Sequence, residues 1–407
     1  MPEAPGSIAT MPVWKRNLFV CWFGMFVTGV GMSQIAPVMP LYVKHLGVAS
    51  MTLVEQFSGI AFGATFVISA IFSPVWGQAA DKYGRKPMLL RASLGMAIVI
   101  FAMGFARNVY ELIALRALQG AITGYSTACT TLIATQTDRE HAGWALGALS
   151  TSGVAGSLLG PIIGGFLAEN LGLPSVFFVT GALMMVAFLT TAFFVQESFS
   201  RPEKATLGIW QVWRGVPDKE LTVSMFLTSL VVSMALYTVE PIITVYITQL
   251  SYSGSHVALL AGLTFSASGL ASIVSAPRLG RLSDRIGAQK VMVAALVTAG
   301  VIFIPQAFVK DPWELMALRF LLGLATGGFS AVNTLLKRMT PDSLTGRVFG
   351  LNISAMYVGV FVGAVLGGQV AAHFGIRNVF FVTAALLLIN GAWVYFRVYR
   401  KLEPLPA

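Results

Sequence analysis

Apolar residues in this chain neither alternate nor recur at a simple helical period. They fill whole runs of about twenty residues or more, cut by short stretches rich in charge, glycine and proline. A bilayer core of about 30 Å needs roughly 20 apolar residues to cross as a helix. The runs predict membrane helices over 17–43, 54–80, 87–106, 110–137, 143–169, 174–196, 220–250, 256–281, 290–309, 313–336, 346–373 and 377–396. The predicted class is an all-α membrane protein of 12 transmembrane helices.

The twelve runs form two sets of six that repeat one another. Gly77, Asp81 and Gly84 return 203 positions later as Gly280, Asp284 and Gly287; Glu111, Arg116, Gly120 and Gly124 return as Glu314, Arg319, Gly323 and Gly327. Gly156, Gly160, Gly164 and Gly165 recur as Gly359, Gly363, Gly367 and Gly368. One shared offset implies duplication, hence two pseudo-symmetric six-helix bundles, 1–196 and 220–407, joined by a linker at 197–219. The linker stretch Ile209, Trp210, Val212 and Trp213 suits a short helix on the membrane surface.

Composition agrees: 56% of residues are hydrophobic and 11% charged, more apolar surface than a soluble globule can bury. The first residues lack the basic start and cleavage site of a signal peptide, so the first run is expected to stay as a helix. Cys21 and Cys129 lie inside apolar runs and read as packing residues rather than a disulfide. The formal charge of +10 is spread loop by loop. With the N-terminus inside, cytoplasmic segments hold Lys15, Arg16, Lys82, Arg85, Lys86, Arg139, Arg278, Arg281, Arg285, Lys290, Lys337, Arg338 and Arg347, against Lys44, Arg107, Lys310 and Arg377 outside. That asymmetry predicts cytoplasmic termini in a multi-pass protein and argues against nucleic-acid binding, which gathers its bases on one face.

Four constellations carry chemistry. The loop from Gly77 through Asp81, Gly84, Arg85 and Lys86 is a tight helix reversal: Gly84 permits the turn, and Asp81 can sit near positive helix ends. Arg116, inside the fourth run, costs roughly 2.5–3.5 kcal/mol in lipid and must face protein or a wet cavity. It reads equally as a functional group or as a clamp on backbone carbonyls. In the fifth run, Gly156, Gly160, Pro161, Gly164 and Gly165 give a flat face for close helix packing with a bend at Pro161. Glu240, followed by Pro241, is the deep acid of the chain, about ten residues or ~15 Å from the outer end of its helix. Intramembrane acids are functional by default, and Pro241 supplies a hinge by freeing the Tyr237 carbonyl.

Further polar and aromatic groups fall at pore positions: Met32, Gln34, Gln119, Tyr125, Tyr237, Phe329, Asn333, Asn352 and Tyr357. A cavity of Met and aromatic residues can re-pack around unlike molecules. Each taken singly also suits helix packing. The four histidines have no metal-ligand spacing, and no phosphate loop, nucleophile elbow or metal cluster is present in the sequence; no cofactor, no metal and no enzymatic activity are expected.

The loop from Gly77 through Asp81 and Gly84 to Arg85 and Lys86 with its weaker echo from Gly280 through Asp284 to Gly287, the Arg116 helix and the ten-residue Gly156 to Gly165 pattern together resemble the major facilitator superfamily. The Gly156 pattern is similar to the motif of its drug:proton antiporters. The resemblance spans the whole chain. It implies two bundles rocking about a midplane site, with Gly77, Asp81, Gly84 and Arg85 gating the inner side and the Gly156 motif at the seam. It further implies protons coupled through Glu240 and Arg116, and efflux of amphipathic toxic small molecules across a bacterial inner membrane by a monomer. Export of one metabolite by the same fold, or a non-transporting sensor that kept it, stays open on the sequence alone.

Overall fold

The computed structural model describes residues 11–199, 213–251 and 256–402; most of the predicted linker, including Ile209, Trp210 and Val212, lies outside them. The described elements are helical throughout. The first repeat holds α1 (Val13–Ser33), α2 (Ile35–His45), α3 (Met51–Tyr83), α4 (Arg85–Met103), α5 (Val109–Ile122), α6 (Tyr125–Gln136), α7 (Arg139–Asn170) and α8 (Leu173–Phe194). The second holds α9 (Lys219–Val239), a 3-10 turn at Glu240–Ile242, α10 (Ile243–Leu250), α11 (Val257–Ile286), α12 (Ala288–Gln306) and α13 (Pro312–Thr326). After a second 3-10 turn at Gly327–Ser330 come α14 (Ala331–Met339), α15 (Asp342–Phe374) and α16 (Ile376–Val394).

Among the described residues, 10 helices are long and apolar enough to cross a membrane, 11 if the bent pair α1 and α2 counts as one. That pair is the predicted first span, bent by 48°. Pro37 lacks the N–H that the Ser33 carbonyl would accept, which loosens the helix there. The predicted fourth span, 110–137, is not the continuous helix expected. It is α5 and α6, of 14 and 12 residues, separated where Thr123 is extended (ψ 177°) and Gly124 takes φ 120°. Gly124 pays no Cβ penalty for that angle. Side chains meet the carbonyls at the break: Trp76 Nε1 donates to Ala121 O at 2.6 Å and Arg91 Nη2 to Thr123 O at 2.9 Å. The second repeat breaks at the equivalent Gly327, in its 3-10 turn.

Contacts repeat along with the sequence. Tyr42 Oη donates to Met103 O at 2.6 Å, and Tyr246 Oη to Gln306 O at 3.0 Å. Gly156 and Gly160 of α7 lie against the backbone of α1 at Phe26 and Val30, and Gly164 against Gln34 at the α1/α2 bend; Gly359, Gly363 and Gly367 of α15 lie against α9 at Leu230, Met234 and Thr238. A missing side chain at each lets the helix axes approach and adds dispersion contacts that lipid cannot supply.

Two helix pairs join the repeats. On α7 and α11, Gly165 meets the Ala258 carbonyl, Gly262 meets the Pro161 carbonyl, and Ser266 Oγ donates to Leu158 O at 2.6 Å. On α3 and α15, Gly59 meets the Ala364 carbonyl and Gly368 that of Glu55. All of these lie toward the face opposite the one where α1 begins, called here the far face. Toward the terminal face the same helices diverge: Cβ atoms built on Gly77, Gly143, Gly147, Gly280, Gly346 and Gly350 would meet nothing within 4 Å. The repeats are sealed together on the far face and apart on the terminal face.

Candidate functional site

Between the repeats lies a cavity of about 430 Å³, with Glu240, Tyr237 and Ile243 from the α9/α10 break on one wall and Met32, Ser33 and Ala36 of the α1/α2 bend on another. Phe62 and Phe66 come from α3, Ser157 and Pro161 from α7, Ser268 and Ser272 from α11, and Arg319 from α13. The α1/α2 and α9/α10 breaks therefore both border it, which is where irregular backbone is tolerated at membrane depth. Glu240 begins the 3-10 turn, so its carboxyl sits at the point where the helix loses its regular bonding.

Arg319 is buried, and its Nε and Nη2 have no hydrogen-bond partner among the described residues. Glu240 lines the same cavity within electrostatic reach of it, yet no ion pair of 4.0 Å or less joins them. Between apolar walls such a pair interacts far more strongly than across water. The aromatic side is continuous: Phe62 and Phe66 stand 5.8 and 6.0 Å from the Tyr237 ring, and Phe66 stands 5.8 Å from Tyr357. Beyond Met32 and Phe66 a second chamber of about 170 Å³ opens toward the terminal face, lined in part by Arg85, Arg91, Trp76, Tyr125 and Tyr357.

Of the expected site residues, Glu240, Tyr237, Met32 and Pro161 line the central cavity, and Met32, Tyr125, Tyr357, Gly77 and Arg85 line the second chamber. Arg116 lines neither. It is 1% exposed and spends its donors inside the first repeat: Nε to Ala61 O at 3.1 Å, Nη2 to Phe62 O at 3.4 Å and Nη1 to Gln119 Oε1 at 2.6 Å. Gln119 is thereby occupied, with its amide against Met32 Sδ at 3.7 Å. Gln34 is buried and donates to Thr180 Oγ1. Asn352 is buried against Met356 Sδ at 4.0 Å, Phe329 packs against the core, and Asn333 is exposed outside both cavities.

At the terminal face Asp81 accepts from Arg85 Nη2 at 2.6 Å, so its ion pair stays within one repeat. Gly84 holds φ 93° in the reversal between α3 and α4. Glu197, which the sequence reading passed over as part of the linker, caps α4 there by accepting from the N–H groups of Arg85 and Lys86 at 2.8 and 2.7 Å. Its signal was present: an acid just beyond a helix end, the right charge for a neighbouring helix N-terminus. Glu55 was equally missed. It stands in the second turn of α3, 5% exposed, at the seam with α15.

A sequence model described as Major Facilitator Superfamily matches residues 21–277 and 225–407. The chain is 43% identical to the multidrug resistance protein MdtG of Citrobacter koseri, over 98% of this chain and 100% of that one. It is also 43% identical to MdtG of Salmonella arizonae, over 97% and 98%. Among solved structures it is similar to an inward-facing, unoccupied bacterial homolog of the human lysosomal transporter Spinster (TM-score 0.78, 14% identity, 99% of this chain and 100% of that one). It is similar too to the nucleoside transporter NupG (TM-score 0.78, 13% identity, 95% and 99%).

Proposed function

This chain belongs to the major facilitator superfamily, and on that premise we propose that it is a proton-coupled efflux antiporter, exporting amphipathic toxic compounds across the inner membrane of a bacterium by alternating access. The observation that carries the reading is Glu240: a carboxyl at a helix break, facing a cavity between repeats, with a cation opposite and no ion pair to lock it. A locked pair would be architecture; an unlocked one is free to exchange its proton. The family and its curated relatives are transporters, and no step of the reading asks for catalysis or a cofactor.

Residues 1–196 and 220–407 act as two lobes, with 197–219 as the cytoplasmic connection. The excess of Lys and Arg on the terminal-face loops supports a cytoplasmic terminal face. The arrangement described above is then the one that receives cargo from the cytoplasm, its far seal closed by the α7/α11 and α3/α15 pairs. Cargo enters past the second chamber and rests among Met32, Phe62, Phe66 and Tyr237, where flexible and aromatic groups fit unlike apolar shapes. Release of the Glu240 proton to the inside favours capture. Reprotonation from outside favours the return. Each lobe moves as a body, and one copy of the chain encloses the whole pathway, which supports a monomer.

Purified protein in liposomes with an imposed pH gradient tests this. Several chemically unrelated amphipathic dyes should be driven against their gradients, and a protonophore should stop all of them. Movement of a single metabolite and of none of the dyes would overturn the multidrug reading.

A further inference from the structure

Glu169, in the last turn of α7, is outside every site discussed so far. Its carboxylate reaches across the seam to the second repeat, where Oε1 accepts the Leu259 N–H at 3.0 Å and Oε2 stands 3.0 Å from His256 Nδ1. Leu259 is in the first turn of α11, whose backbone N–H groups have no partner within the helix and carry the positive end of its dipole. His256 is the one side-chain-bearing residue with positive φ (60°) among the described residues, a conformation that needs an external hold. Lys44 and His45 of α2 border the same outer hollow.

We propose that Glu169 is a positioning residue for transport: a cross-repeat helix cap that latches the far face shut and sets the balance between the two open forms. Gly165, one turn earlier, brings α7 against the Ala258 carbonyl, close enough for the carboxylate to reach. When the far face opens, α7 and α11 part and the cap is lost, so its energy falls entirely on the closed form. At the other seam, among the described residues, no carboxylate bridges the two helices in this way, the Glu55 side chain making no such cross-seam bond. There Gln56, the repeat mate of Leu259, donates through its side chain to Gln369 Oε1 at 3.1 Å, and Ala372 stands where Glu169 would. His373 Nε2 stands 3.3 Å from the same Gln56 amide, so one seam is bridged by a carboxylate and the other by amides and an imidazole.

The inference rests on the transporter reading only in that the two faces open alternately. Spin labels on Leu171 and Phe374 read the far face, and a pair on Trp144 and Leu282 reads the terminal face; Cys21 and Cys129 are buried and stay unlabelled. Distances are measured without cargo or gradient, so the result is independent of Glu240. Glu169→Gln should raise the ratio of far-open to far-closed protein about fivefold, as expected for a lost charged cap. Glu169→Lys should raise it further, and Glu169→Asp should stay nearer the parent. The terminal-face pair should shorten in step. Parent-like distances in both Gln and Lys variants would overturn the proposal, including when those variants unfold at lower temperature, because that would make Glu169 a structural cap alone.

Discussion

Glu240, in the 3-10 turn that follows α9, and Arg319, on α13 of the same repeat, face one cavity without closing into an ion pair. Arg116, the repeat mate of Arg319, has no ion pair among the described residues and is engaged with α3 carbonyls and Gln119. Duplication has given one position two uses: a clamp in the first repeat and a cavity cation in the second.

The two arginines should therefore fail differently. Arg116→Met removes the guanidinium donors from the Ala61 and Phe62 carbonyls and leaves Gln119 Oε1 without its donor, and should lower stability by about 1–3 kcal/mol. Thermal unfolding in detergent reads this. Arg319→Gln should leave the unfolding temperature near the parent's and slow gradient-driven efflux about tenfold, the equivalent of ~1.4 kcal/mol. Equal melting losses in both variants would contradict the division.

Glycine packing makes a second contrast. Gly160→Val drives carbon into the α1 backbone at Val30, where even a Cβ would come within 3.0 Å, and overpacking costs about 1–3 kcal/mol. Gly147 on the same helix has open space around it. Gly147→Ala should leave stability unchanged or raise it by up to about 1 kcal/mol, the helix-propensity gain. Unfolding temperatures of the two variants check both.

Outside the membrane, Asp218 caps α9 by accepting the Leu221 N–H at 3.0 Å, and Lys401 Nζ lies 3.1 Å from its other oxygen. The Leu221 bond first, then Lys401, outweigh slight desolvation and hold its carboxyl below the ordinary 3.8. A carboxyl lowered by folding stabilises the fold above its unfolded value, and that stabilisation disappears as pH falls below about 4. Asp218→Ala should cost about 1 kcal/mol at neutral pH, as lost N-caps do, and the gap to the parent should shrink below pH 4. Unfolding followed at pH 7 and pH 3.5 reads it.

Much of this was legible in the residues. The offset between Asp81 and Asp284 fixes the duplication, apolar run length fixes the helices, and the steps from Gly156 to Gly164 mark the face that meets α1. The break at Gly124 was hidden, because it depends on Trp76 and Arg91 reaching in from α3 and α4 to meet the freed carbonyls. Arg116 and Arg319 are indistinguishable by composition, since what separates them is whether a distant helix offers a carboxyl or carbonyls. Gln34 and Asn352 looked like pore groups because polarity inside an apolar run is visible in sequence, while the direction a side chain faces is not. Glu169 and Glu197 looked like loop acids because the helix ends they cap are 90 and 112 positions away.

The central claim is that the Glu240 carboxyl carries the coupling proton. Its most direct test is Glu240→Gln in proteoliposomes, with cargo accumulation under an imposed pH gradient measured beside cargo exchange without one. The account predicts that gradient-driven accumulation is abolished while binding and exchange persist at least in part. Accumulation equal to the parent's would contradict it.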